Sequence, residues 1–327
     1  MSEELQNSGL RFGVLLPTRD VVMSRRTDPG VIYQFADRAE ALGFDSLWVG
    51  DSLTARPRLE ALTTLAAVGA RTRRVRLGTA IFLAALRQPI LLAHQLASLD
   101  WLTSGRIDLG IGYGRPNDPA QHHEFEILGL SASKRIKMSE ESVEVMRRLW
   151  REVDVSYDGV FTRFEHVNLV PTPVQPNGVP IWLASNNIEP GLRRVARIGD
   201  GWLNNITRPE TYRECWDKIR GYAAEAKRDP KSIQPGLYFT LAAGGTEAAS
   251  EGQRFLALYY NRSYEAVAKA MLCVTGSWDE VIDSIEAYIE AGARTIILRF
   301  ATGDQIGHLE WCAESLARRG LLGRPRN

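Results

Sequence analysis

Four short runs of residues in this chain have the types and spacing to do chemistry. Thr79-Ala80-Ile81 and Gly112-Tyr113-Gly114-Arg115 each end a β-rich apolar stretch and carry little side-chain bulk. Bare backbone of this kind lets a flat or phosphorylated ligand come close. Gly50-Asp51-Ser52 ends another apolar stretch and adds one acid and one hydroxyl. Ser185-Asn186-Asn187 precedes a helix that begins near Pro190, and hydroxyls, amides and main-chain N–H groups at a helix start make an anion site. Other strand ends add Pro17-Thr18-Arg19, Asn204-Asn205, Thr240 and Arg299. With a single acid in the set, no hydrolytic carboxylate pair is evident, and no His/Asp cluster has metal-ligand spacing. So few titratable groups point to a bound coenzyme as the source of reactivity.

Each of these residues also has a plain structural role open to it. Asp51 could cap the next helix, Ser52 could bond the neighbouring backbone, and the Ser185 turn could be an ordinary N-cap. His94 lies mid-helix among apolar residues and reads as a core or interface histidine. His122-His123 have Glu124 and Glu126 nearby, but no spaced partner completes a zinc site.

The elements that must position these runs alternate from end to end. Apolar, β-rich segments predict strands at Arg11–Leu16, Asp45–Val49, Val75–Phe82, Arg106–Ile111, Pro180–Ala184, Gly201–Leu203, Gly236–Leu241 and Thr295–Arg299. Helical spacing falls between them, at Val31–Leu42, Arg58–Arg71, Pro89–Leu102, Ser133–Trp150, Pro190–Ile198, Pro209–Arg228 and Asp279–Ala291, with a last helix at Ile306–Arg319. Eight strands with eight helices predict an α/β fold, a (β/α)8 TIM barrel, whose catalytic face is the carboxyl end of the strands. No GxGxxG follows the first strand, which argues against a doubly wound sheet. The excess length predicts insertions after strands 4 and 7. Pro116–Ala132 reads as a loop, Asp154–Val170 as a hairpin turning at Asp158-Gly159, and Thr246–Ser277 as a segment with an extra helix over Glu251–Met271.

Bulk properties bound the partners. The 327 residues are 44% hydrophobic and 24% charged, with a formal net charge of +1. That balance predicts a small-molecule substrate, with no affinity for nucleic acid or membrane. Cys215, Cys273 and Cys312 are odd in number and far apart, so no disulfide framework is indicated and a reducing, cytoplasmic setting is expected. The start, MSEELQNSG, is polar and unlike a signal peptide. The longest apolar run, Ile81–Leu102, is too polar to span a bilayer.

The segments LGTAIF and RQPILLAHQLASLDWLTSGRIDLGIGYG resemble the bacterial luciferase-like flavin and deazaflavin oxidoreductases. LGFDSLWVGDSL, RIKMSEESVEVMRRLW, VPIWLAS and LRRVARIGDGWL extend the resemblance over most of Leu10–Leu203, with a weaker echo in GSWDEVIDSIEAYIEAGARTIIL. It implies a single barrel domain over residues 1–327, a homodimer, and FMN or the deazaflavin coenzyme F420 at the barrel mouth. A cis peptide at Ala80–Ile81 would lie under the coenzyme ring. Thr79, Ala80, Ile81, Gly112, Tyr113, Gly114 and Arg115 would contact the coenzyme, and Ser185, Asn186 and Asn187 would take its phosphate. Asp51 and Ser52 would hydrogen-bond near the reactive edge as the catalytic residues.

GDGW, GIGYG and the DSL after the second strand look more like the deazaflavin branch, and the WN.VT strand end of the alkane and sulfonate monooxygenases is missing. The implied activity is hydride transfer between reduced F420 and a small organic substrate. An FMN-dependent monooxygenase using O2 is the alternative, and a non-catalytic flavin-binding barrel a further one. Two residues depart from the family's dehydrogenases. Ser52 stands where many have a histidine after the aspartate, and Arg115 where the sugar-phosphate enzymes have a glutamate. Both departures turn the expectation from alcohol oxidation towards reduction of an activated acceptor.

Overall fold

The computed structural model describes residues 9–115 and 117–323. Strands form at β1 (Arg11–Leu15), β2 (Ser46–Val49), β3 (Arg76–Thr79), β4 (Ile107–Ile111), β5 (Val155–Asp158), β6 (Arg163–Val167), β7 (Ile181–Ala184), β8 (Gly201–Leu203), β9 (Gln234–Ala243), β10 (Cys273–Gly276) and β11 (Thr295–Phe300). Among the described residues one sheet has the order β10-β9-β11-β1-β2-β3-β4-β7-β8, and β8 also pairs with β9. Leaving out β10, which pairs in parallel beside the end of β9, this is the closed ring of a (β/α)8 barrel. β2, β4 and β11 are buried at every position, as parallel strands covered on both faces must be.

Contacts divide the chain into two units. One holds Thr18–Thr27 and Val49–Trp182. In it, Glu60 caps the helix Ala61–Arg71 and Gln88 caps Pro89–Leu102. Pro89 stands at the start of its helix, where a missing N–H costs nothing. At the amino ends of β3 and β4, Arg76 pairs with Asp108 at 2.6 Å, and the fully buried Asp100 accepts hydrogen bonds from Val174 N and Gln175 N. Pro116–Ala132 departs from the expected loop, because Pro119–Glu126 is a helix capped by Asp118. Its sequence, PAQHHEFE, lacks an apolar stripe and gives no periodic signal. The β5–β6 hairpin is antiparallel and turns after Asp158. His94 is exposed in a recess of about 650 Å³ that Thr63, Ala66, Gln95 and Ser98 also line, so it is no core residue.

The other unit holds the chain up to Pro17, Asp28–Trp48 and everything from Leu183. Trp202, Tyr212, Phe239 and Tyr288 are fully buried there, with Tyr212 and Phe239 each set edge-on to Tyr288. The helix expected over Glu251–Met271 is two, Thr246–Tyr260 and Tyr264–Ala270. Asn261 takes a left-handed conformation with φ of 50°, which ends the first, and Ser263 caps the second.

Candidate active site

The carboxyl ends of β2, β3 and β4 converge on the segment Thr79–Phe82. Ala80 N donates to Val49 O at 2.7 Å and Asp51 N to Ile81 O at 3.1 Å. On the other side, Phe82 N donates to Gly110 O at 2.6 Å and Gly112 N to Phe82 O at 2.9 Å. The Ala80–Ile81 peptide is cis. The Thr79 hydroxyl donates to Gly110 O and accepts from Gly110 N, both at 2.9 Å, so it serves the sheet. A β-carbon on Gly112 would collide with the Ile81 side chain. Tyr113 and Gly114 are half-buried, and Arg115 is exposed with its N–H on Gln121 Oε1.

Asp51 is a buried anion with both oxygens engaged. Arg87 Nη1 reaches its Oδ2 at 2.6 Å and Arg87 Nη2 its Oδ1 at 2.8 Å, while Leu83 N donates to Oδ2 at 2.9 Å. Its side chain is 2% exposed. The bidentate pair fixes the turn after β3, and it leaves this carboxylate no role as a capping residue for Ala61–Arg71, which Glu60 fills.

Ser52 is likewise committed. Its hydroxyl donates to Glu124 Oε1 at 2.7 Å and accepts from Arg56 N at 2.9 Å. The same Glu124 oxygen accepts from Thr54 N at 2.7 Å and Ala55 N at 2.9 Å, while the buried Oε2 has no hydrogen-bond partner among the described residues. Two residues of the insertion therefore hold the loop after β2, since Arg56 Nη2 also donates to Asp118 Oδ2 at 2.7 Å. Burial pushes the Asp118 carboxyl up, but the hydrogen bond and charge of Arg56 and the N–H groups of Gln121 and Ala120 outweigh it and leave it below the usual aspartate value. Nothing in the sequence marked Glu124 for this role, because its partners lie some seventy residues away in the chain.

In the other unit, Ser185–Asn187 forms a built turn. Asn186 Nδ2 donates to Asn205 Oδ1 at 2.8 Å, and Asn205 N returns a bond to Asn186 Oδ1 at 3.1 Å. Trp202 Nε1 holds Ser185 O at 2.7 Å. The Ser185 hydroxyl rests where a β-carbon on Gly191 would sit, over the first turn of the helix Glu189–Ile198, and Asn187 is exposed beside it. A hydroxyl and an amide at a bare helix start suit a phosphate. The side-chain-poor ends at Gly50, Ala80 and Gly112 suit the face of a flat ring. Each set of residues, taken by itself, fits its own part of a coenzyme that carries a flat ring and a phosphate. Among the described residues no three His, Cys, Asp or Glu side chains could hold a metal ion, and no helix is long and apolar enough to cross a membrane.

These features define a barrel enzyme of the coenzyme-binding class. The sequence profile of the luciferase-like monooxygenases matches residues 10–295, and the chain belongs to that family. An uncharacterized protein of Mycobacterium tuberculosis is 36% identical over 145 residues, 44% of this chain, so that the match spans about half, 49%, of that relative. An F420-dependent glucose-6-phosphate dehydrogenase of Intrasporangium calvum is 28% identical over 84% of this chain and 89% of its own length. Among solved structures, a monooxygenase from Streptomyces bottropensis superposes with a TM-score of 0.78 and 28% identity, covering 95% of this chain and 99% of that one.

Proposed function

We propose that this protein is an F420-dependent oxidoreductase that reduces a small organic substrate, acting as one luciferase-like domain. The observation that carries this reading is that both polar candidates beside the Ala80–Ile81 segment are already engaged. Asp51 is held by Arg87 and Ser52 by Glu124, so the site orients a ligand and leaves the reactivity to a coenzyme. F420, when bound, supplies two-electron hydride chemistry. In this reading Ala80 and Ile81 support one face of its ring, Gly112 leaves room for Ile81, and Tyr113, Gly114 and Arg115 line its edge. Thr79 acts through the sheet, and Ser185, Asn186 and Asn187 receive the phosphate. Asp51 and Ser52 hold the loops on either side of the ring seat.

The dehydrogenase relative from Intrasporangium calvum supports the choice of coenzyme. Ser52 supports the direction, because a hydroxyl bonded to a carboxylate is a poor base for taking a proton from an alcohol. Absorbance titration of the purified protein with F420 and with FMN, separately, tests the reading. Saturable binding of F420, tighter than of FMN, is expected, and failure to bind F420 refutes it. The monooxygenase from Streptomyces bottropensis favours a second reading, FMN-dependent oxygenation. Incorporation of labelled oxygen from O2 into product would establish that one.

A further inference from the structure

The geometry points to Arg58 as the anchor of an anionic substrate, a small organic molecule bearing a carboxylate or phosphate group. The inference rests on the Ala80–Ile81 segment being the coenzyme seat. Gly50, at the end of β2, is buried and lies between the two main-chain bonds that join Val49 to Ala80 and Asp51 to Ile81. Nη1 of Arg58 occupies the space beside Gly50 where a β-carbon would be, and the carbonyl oxygen of Ala80 is 3.8 Å from the same point. The guanidinium therefore sits against the ring seat.

Of the neighbouring arginines, Arg56 is committed to Asp118 and Arg87 to Asp51 and Glu60, while Arg19 donates to the carbonyl oxygen of Pro57 at 3.5 Å. Arg58 is different. Its Nε donates to Arg56 O at 3.2 Å, which fixes the plane of the fork, and Nη1 and Nη2 have no hydrogen bond or ion pair among the described residues. The nearby carboxylates Asp51, Asp118 and Glu124 each face other donors. A half-buried guanidinium with its plane set and Nη2 without a partner among the described residues is suited to binding a carboxylate or phosphate. Glycine at position 50 is what admits it, since any side chain there would push Nη1 away.

Calorimetric titration of the full-length protein with benzoate, its neutral isostere benzamide, and phenyl phosphate tests this, alongside F420 titrations of each variant. Wild type is expected to bind benzoate at least tenfold more tightly than benzamide. Arg58→Met should lose at least tenfold in benzoate affinity, Arg58→Lys less, and Gly50→Ala should resemble Arg58→Met. F420 affinity should stay within about twofold in the Arg58 variants. Phenyl phosphate binding more tightly than benzoate would mark the substrate as a phosphate ester, and the reverse as a carboxylate. Equal binding of benzoate by wild type and Arg58→Met overturns the inference. So does a tenfold loss of F420 affinity in Arg58→Met with benzoate unaffected, which would give the guanidinium to the coenzyme tail. A wild-type protein that binds benzoate through Arg58 but ignores F420 would instead refute the proposed function.

Discussion

The Ile81 side chain lies over Gly112 so closely that a single methyl group on that glycine cannot coexist with it. Position 112 thus sets where the residue after Ala80 can be. Gly112→Ala is expected to cost about 1–3 kcal/mol through overpacking and to weaken coenzyme binding at least tenfold as Ile81 shifts. Urea denaturation and a coenzyme titration check the two effects separately. Unchanged affinity in a folded variant would detach Ile81 from the site.

The Asp51–Arg87 pair offers a second handle. Arg87→Met leaves a carboxylate that is 2% exposed without its cation, at an expected cost of about 3 kcal/mol. Asp51→Ala added to Arg87→Met should recover part of that loss, because the stranded charge is gone. A thermodynamic cycle in urea reads the coupling, and strict additivity would show that the pair does not act as one unit.

At Glu124 the two obvious substitutions should separate. Gln keeps an oxygen for Ser52, Thr54 and Ala55 but puts an amide N–H2 where the other oxygen has no partner among the described residues, so a cost of about 1 kcal/mol is expected. Ala removes the acceptor from three donors, at about 2–3 kcal/mol. Hydrogen exchange at the Thr54 and Ala55 amides should quicken in Glu124→Ala and hold steady in Glu124→Gln.

Acid should loosen the same region through Asp118. Its folded carboxyl lies below the ordinary aspartate value, so its contribution to stability is complete above that ordinary value and is lost as pH falls through the depressed one. Protection of the Ala120 and Gln121 amides, taken as exchange relative to the intrinsic rate at each pH, is expected to fall over that acidic window in wild type. Asp118→Asn should flatten the response.

Cys273 makes a chemical prediction. Burial raises its thiol to about 11, with the charge of Arg299 pulling the other way. At pH 8 only a trace is thiolate, so iodoacetamide should label it at least tenfold more slowly than a free cysteine. Mass spectrometry of the labelled protein decides.

The barrel was legible because its strands are buried on both faces and read as mostly apolar runs without polar alternation, as in SLWV and TIILRF. Pro119–Glu126 was hidden for the opposite reason. Its fold depends on an Asp-Pro start and on one buried acid, not on a periodic stripe. Asn261 split a helix that spacing alone ran together, because a left-handed residue leaves no mark on hydrophobic pattern. At the candidate site, Asp51 and Ser52 could be found from their place after a strand. Their partners could not, since Arg87 and Glu124 lie 36 and 72 residues further on and only the folded chain brings them in. Arg58 escaped notice as one of many arginines, and its distinction is that among the described residues no carboxylate pairs with its Nη1 or Nη2.

The double tie between the segment carrying Asp118 and Glu124 and the loop carrying Ser52 and Arg56 has a consequence for protein engineering. Neither piece can be transplanted alone. A chimera that imports the eight-residue helix from a cousin without its matching serine and arginine would leave the buried Glu124 with main-chain N–H donors alone and Asp118 without its cation. Shuffling libraries on this scaffold should therefore cross over before Gly50 or after Glu126, and treat everything between as one cassette.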